Sequence, residues 1–181
     1  MTDDRLSSQD WVHAGLKALA RSGFTALKAD TLAKALGVSR GSFYWHFADV
    51  GAFHAAVLQH WREVAYENVV REVEGTAENR LTALLERAFR ADLRLERAVR
   101  SWATAEAKAR TMVEAVDARR LKYIRDLLIE GGLLPNDASA RAQILYWAYL
   151  GHGLSANKPD PAEWRRILDA LARLATAAKT S

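Results

Sequence analysis

Apolar residues recur at three- and four-residue intervals along almost the whole chain, the period of helices that bury one face. Trp11, Val12, Leu16 and Leu19 predict a helix over Ser8–Ser22, with Gly23 as its C-cap. Two short helices, Ala29–Leu36 and Arg40–Phe47, should follow, then a longer one from about Val50 to Val73 that stops at Gly75. Beyond that break the pattern predicts an amphipathic helix over Ala77–Arg100 and a shorter one capped by Ser101. A long helix capped by Thr111 should end at Gly131-Gly132, and further helices should run over about Ala138–Leu154 and onward from Pro161. The three prolines all lie at or after Pro135, and β-branched runs are missing. The pattern therefore reads as an all-α fold of about nine helices. The organisation expected is an N-terminal unit over 1–50, a connecting helix to about 74 and a C-terminal unit over 75–181.

The sharpest local signal lies between Leu32 and Phe47. Leu32, Ala33 and Leu36 share one face of the first short helix. Gly37 stands where a tight turn needs left-handed backbone, Val38 fills the corner and Ser39 is a favoured N-cap residue for the second helix. Phe43 and Phe47, four apart, turn that helix inward. Arg40, Gly41, Ser42, Tyr44 and Trp45 are then left on or beside the outer face, and Tyr44-Trp45-His46 cannot all enter one core. Such a face suits the major groove. Arginine can fork onto guanine or phosphate, glycine permits close approach, and the hydroxyls and the indole N–H can meet phosphates or base edges. The competing reading is a plain helical hairpin whose aromatics only pack.

Composition adds limits. Half of the 181 residues are hydrophobic and 27% are charged, as in ordinary globular domains. There is no cysteine, which excludes a disulfide framework, a thiolate metal site and a cysteine nucleophile. The formal charge is +4, and five basic against two acidic residues fall between Trp11 and Val50, a mild bias towards a polyanion. Asp3, Asp4 and Asp10, against Arg5, offset part of it. The first residues, Met-Thr-Asp-Asp-Arg, have no basic and apolar leader pattern, and Ile144–Leu154 is too short to span a bilayer, so a cytoplasmic location without membrane insertion is expected. The five histidines form no pair four apart, and no H-E-x-x-H, G-x-S-x-G, P-loop or G-x-G-x-x-G stands in the chain. No enzyme, metal or cofactor is expected.

The run Gly37-Val-Ser-Arg-Gly-Ser-Phe-Tyr-Trp-His-Phe47 resembles the signature of the TetR family of bacterial transcriptional regulators. The resemblance implies base-edge contacts from Arg40, Ser42 and Trp45, with Tyr44 and His46 on phosphate or buttressing the helix, and Phe43 and Phe47 in the core. Lys28, Ser39 and Gly41 complete the expected DNA-binding set. Two positions depart from the family pattern. Lys28 stands where Ser or Thr usually caps the first short helix, and Ala48-Asp49-Val50-Gly51 lacks the usual basic residue. One backbone anchor is thus expected to be missing.

The resemblance also implies a C-terminal effector pocket and a homodimer that binds a palindromic operator and represses transcription until a small apolar or amphipathic effector changes the separation of its reading heads. Candidate pocket residues are Leu85, Phe89, Leu93, Trp102, Tyr123, Leu127 and Trp147, which combine apolar surface with hydroxyl and indole donors. Candidate dimer residues are Ile144, Ala148, Gly151, Ile167, Leu168, Leu171 and Leu174, on two helices with apolar and small faces. Arg87, Arg90, Arg94 and Arg97 should form a solvated stripe on one helix, near Glu86 and Glu96, and Asp117 with Arg120 a surface pair. The alternatives are a DNA-binding regulator without a small-molecule effector and a helical enzyme or structural protein.

Overall fold

A computed structural model describes residues 6–76, 79–156 and 159–175. Asp3, Asp4 and Arg5, and the expected helix start at Ala77, lie outside the described residues. The helices are α1 (Ser8–Ser22), α2 (Ala29–Leu36), α3 (Arg40–His46), α4 (Val50–Arg62), α5 (Asn68–Glu74), α6 (Arg80–Phe89), α7 (Arg94–Ala105), α8 (Ala107–Glu130), α9 (Pro135–Leu154) and α10 (Pro161–Ala175). A π-helical turn, Glu63–Glu67, joins α4 to α5. Counting that run as one helix gives nine among the described residues, and no strand interrupts them.

Local chemistry explains several boundaries. Ser7 and Asp10 form a reciprocal capping box at the start of α1, and Gly23 ends it with positive φ. Asp49 caps α4, its Oδ1 accepting the Ala52 N–H at 2.7 Å. Asn79 does the same for α6 through the Thr82 N–H. Gly132, at φ 95°, closes the turn after α8.

Three sequence expectations need correction. Ala77–Arg100 is not one helix, because the chain breaks between α6 and α7 where Leu93 is buried at the α7 N-cap. Ser101 is interior to α7 and Thr111 interior to α8, so neither caps a helix. The four arginines consequently form no single stripe: Arg87 and Arg90 lie at the end of α6, and Arg94 and Arg97 at the start of α7. Glu96 is buried, accepting a 2.8 Å bond from Arg100 Nε, rather than lying on a solvated face.

The chain divides into two compact units. One comprises residues 1–65 and 93–114, the other residues 66–92 and 115–181. The partition differs from a cut at Gly75, since α7 packs along α1 in the first unit. Its core holds Trp11, Leu19, Phe43, Phe53, Val57, Trp61 and Trp102, all fully buried. Burial of such aromatics supplies the main stabilisation. In the second unit Leu85, Phe89, Leu128, Leu133, Ala138, Ala142, Leu145 and Leu171 form the core, with Ala148, Ile167 and Leu168 packed against it.

Candidate nucleic-acid interface

The helix-turn-helix is built as its sequence dictates. Leu32 and Ala33 are buried under α2, while Lys34 and Ala35 are exposed. Gly37 takes a left-handed conformation at φ 70°, which lets the chain leave α2 and re-enter a helix within three residues. Val38 N–H donates to the Ala33 carbonyl at 3.0 Å and ties the turn to α2. Ser39 occupies the N-cap of α3, yet its hydroxyl makes no capping hydrogen bond.

Phe43 anchors α3. Its ring is fully buried and meets Trp11, Phe47 and Phe53 at centroid distances of 5.3, 5.2 and 5.3 Å. With Phe43 and Phe47 inward, the opposite side of α3 has to face outward. Trp45 is 88% exposed and its neighbour Tyr44 45% exposed, so two aromatic rings stand uncovered on this side of the helix. Tyr44, His46, Arg40 and Gly41 are exposed and Ser42 is half-buried. Gly41 is open: a Cβ there would meet only Ser39 Oγ, at 3.6 Å. The seven-residue α3 thus presents one cation, hydroxyls, an imidazole and an indole on a single exposed surface.

Arg40 is held by two neighbours. Its Nη2 donates to the Tyr44 hydroxyl at 3.2 Å, and its Nε stands 3.2 Å from Asp30 Oδ1 in an ion pair. The Tyr44 bond and then the Asp30 charge raise the guanidinium pKa, so it stays cationic. Sequence reasoning missed Asp30, because the ten-residue separation becomes a contact only through the Gly37 turn. Lys28 is the N-cap of α2, in extended backbone with no side-chain cap bond, and is exposed. Its ammonium is therefore uncommitted to capping. Asp49, in the stretch that lacks the basic residue usual in the family pattern, caps α4.

The residues expected to form an effector pocket belong to both units. Leu93 and Trp102 belong to the first unit, where Trp102 stacks on Phe24 at 4.8 Å and meets His54 edge-on. Leu85, Phe89 and Leu127 are buried in the second unit. Tyr123 donates its hydroxyl to Glu74 Oε1 at 2.7 Å, and burial followed by that carboxylate pushes its pKa far up. Trp147 is 63% exposed on α9. An open hollow of about 410 Å³ in the second unit is lined by Ala83, Glu86, Arg87, Arg90 and Ala91, none of them an expected pocket residue.

The expected dimer residues also divide. Ile144, Gly151 and Leu174 are exposed, Ala148, Ile167 and Leu168 are half-buried, and Leu171 is buried in the chain's own core. On α9, Trp147 and Leu154 extend the exposed apolar strip begun by Ile144 and Gly151. Asp117 accepts a 2.6 Å bond from the Tyr146 hydroxyl, so it reaches across to α9 and not only along its own surface. Among the described residues, no group of three or more His, Cys, Asp or Glu could hold a metal, and no helix is long and apolar enough to cross a membrane.

Residues 12–49, from within α1 to just past α3, match the model of the bacterial regulatory proteins of the tetR family. Among solved structures, the chain is similar to one described as a TetR-family transcriptional regulator from Rhodococcus sp. The two share 20% identity and a TM-score of 0.71, with 93% of this chain and 98% of the other covered. It is similar to a transcriptional regulator from Streptomyces coelicolor A3(2) at 17% identity and TM-score 0.66, covering 94% and 99%. It also resembles the multidrug binding protein EbrR, solved with imidazole, at 22% identity and TM-score 0.59, covering 98% and 99%. Among curated proteins none matches the sequence. The shared fold extends over nearly the whole chain, while the sequence match is confined to the helix-turn-helix.

Proposed function

We propose that the chain is a TetR-family regulator, a sequence-specific DNA-binding transcriptional repressor acting as a homodimer on a palindromic operator, a reading supported by the family match over residues 12–49 and the shared fold. The observation that carries this reading is the outer face of α3. A helix anchored by a fully buried Phe43 exposes Trp45 at 88% beside Arg40, Tyr44 and His46. An uncovered indole next to cationic and hydroxyl groups fits a groove, where the ring covers apolar base edges and the polar groups take phosphates and acceptors. Arg40, Ser42 and Trp45 read bases. Lys28, Ser39, Tyr44 and His46 contact the backbone or support the helix, and Gly41 lets α3 approach closely.

One seven-residue reading helix covers few base pairs, so useful specificity calls for two. The exposed α9 strip of Ile144, Trp147, Gly151 and Leu154, with Leu174 of α10, supports a two-fold helical interface, since Gly151 allows close approach beside the bulky Trp147. Leu171 serves the core of its own chain instead.

The effector is a small apolar or amphipathic molecule bound in the second unit, with Leu85, Phe89 and Leu127 as apolar wall. The structurally similar EbrR is a multidrug binding protein, which favours this over an effector-free regulator. Binding would shift the population between DNA-competent and DNA-incompetent dimers. The test is selection from a random duplex pool with the full chain, followed by Arg40→Ala. An enriched inverted repeat whose preference Arg40→Ala flattens at one position per half-site is expected. No enrichment at low salt would end the reading.

A further inference from the structure

We propose that Asp30 is a specificity-determining residue, which holds Arg40 in a base-reading posture and repels the phosphate backbone that would otherwise capture it. The inference rests on the reading that α3 contacts DNA. Asp30 is the second residue of α2 and Arg40 the first of α3. The Gly37 turn brings them together, with Asp30 Oδ1 3.2 Å from Arg40 Nε. On the other side, Nη2 donates to Tyr44 at 3.2 Å, and the guanidinium carbon lies 5.7 Å from the centre of that ring. The Nε and Nη2 nitrogens are thus both engaged within the protein. Nη1 has no protein partner among the described residues and remains free for an acceptor.

The pair does little for stability, because the two side chains are 62% and 71% exposed and ion pairs in such settings contribute almost nothing. Its consequence lies in recognition. A long arginine side chain loses rotamer freedom whenever it docks, and a side chain already restrained on two sides loses less. The carboxylate also acts against the wrong target. Swinging Arg40 onto a phosphate would leave Asp30 unpaired beside a polyanion, whereas reading a base edge with Nη1 keeps the pair. Discrimination of this kind needs a repulsive element as well as an attractive one. Asp30 is the one acidic residue on α2 or α3, amid the cations Lys28, Lys34 and Arg40.

The test measures dissociation constants across a salt series for the duplex recovered by selection and for a shuffled duplex of equal length. The proteins are the full wild-type chain, Asp30→Ala, Asp30→Asn, Arg40→Ala and the Asp30→Ala/Arg40→Ala double variant. Asp30→Ala should bind the shuffled duplex more tightly. Its log–log salt slope should steepen by about 0.9, as expected when the released arginine gains one phosphate. It should also lose about tenfold of its preference at one position in each half-site, the scale of one charge-assisted hydrogen bond to a base edge. That position should be the one Arg40→Ala flattens, and in the Arg40→Ala background Asp30→Ala should change neither slope nor preference. Asp30→Asn, which keeps an acceptor oxygen without the charge, should fall between and carries the same test if the alanine variant does not fold. If Arg40→Ala flattens a position while both Asp30 variants keep the wild-type preference and slope, the role of Asp30 is refuted and the reading of α3 stands. If Arg40→Ala itself changes nothing, both fail.

Discussion

Consider Gly41→Ala. Gly41 sits in the first turn of α3 with ordinary negative φ, since the positive-φ glycines among the described residues are Gly23, Gly37 and Gly132. An added Cβ would find only Ser39 Oγ, at 3.6 Å, an ordinary contact. Nothing in the free protein therefore resists alanine. Removing the conformational freedom of glycine in a helix stabilises by about 0.5–1 kcal/mol, which for a chain of this length raises Tm by about 1–4 °C. On the DNA the same methyl stands where the backbone of α3 must come close. An overpacked contact costs about 1–3 kcal/mol, or roughly five- to 150-fold in affinity. Thermal melting by circular dichroism and competition binding on the selected duplex read the two effects separately. A variant that melts at or above the wild-type temperature while binding at least fivefold more weakly fits the geometry. Wild-type affinity would refute close approach at Gly41, and a lowered melting temperature would refute the open space around it.

The same substitution at Gly15 should do the reverse. A Cβ there meets Phe53 Cζ at 2.7 Å and Val57 Cγ2 at 3.0 Å, both in a fully buried core, so Gly15→Ala should lose about 1–3 kcal/mol to overpacking, less the helix gain, and lower the urea midpoint. Trp45→Ala should leave stability within about 0.5 kcal/mol, as for an exposed site, and weaken DNA binding at least tenfold in a mobility shift. Trp147→Glu should give monomers by light scattering with unchanged helix content. Glu74 is held below its ordinary 4.5 by the Tyr123 hydroxyl and then by Arg80. A carboxylate depressed in this way stabilises the fold fully above its unfolded value, and the contribution is lost as pH falls through the folded one. Tyr123→Phe should therefore flatten the acid limb of the unfolding curve below about pH 4.5, followed by circular dichroism.

Why some of this was legible and some was not can be argued residue by residue. Gly37, Phe43 and Phe47 specify α3 through local rules: a left-handed turn and a four-residue apolar spacing, with Ser39 at the N-cap position but forming no side-chain cap. No distant contact has to be known to place them. The face of α3 then follows by exclusion. The break between α6 and α7 carries no glycine or proline and arises because Leu93 is drawn into a core, which periodicity cannot register. Trp102 has the composition of a pocket residue, yet its partner is Phe24, 78 positions earlier. Trp147 and Leu171 illustrate the same limit. Both are apolar residues at helical spacing, and only packing separates the exposed indole from the buried leucine. Asp30 reads as an ordinary residue at a helix start until the turn places it against Arg40.

The most direct test of the central claim is a base-by-base preference profile from a random duplex selection, measured for the wild-type chain and for Trp45→Ala and Arg40→Ala. The proposed function requires two inverted half-sites from the wild type, and flattened preference within each half-site for both variants, at unchanged melting temperature. Enrichment that neither substitution alters, or no enrichment by the wild type, would contradict the assignment of α3 as the reading helix.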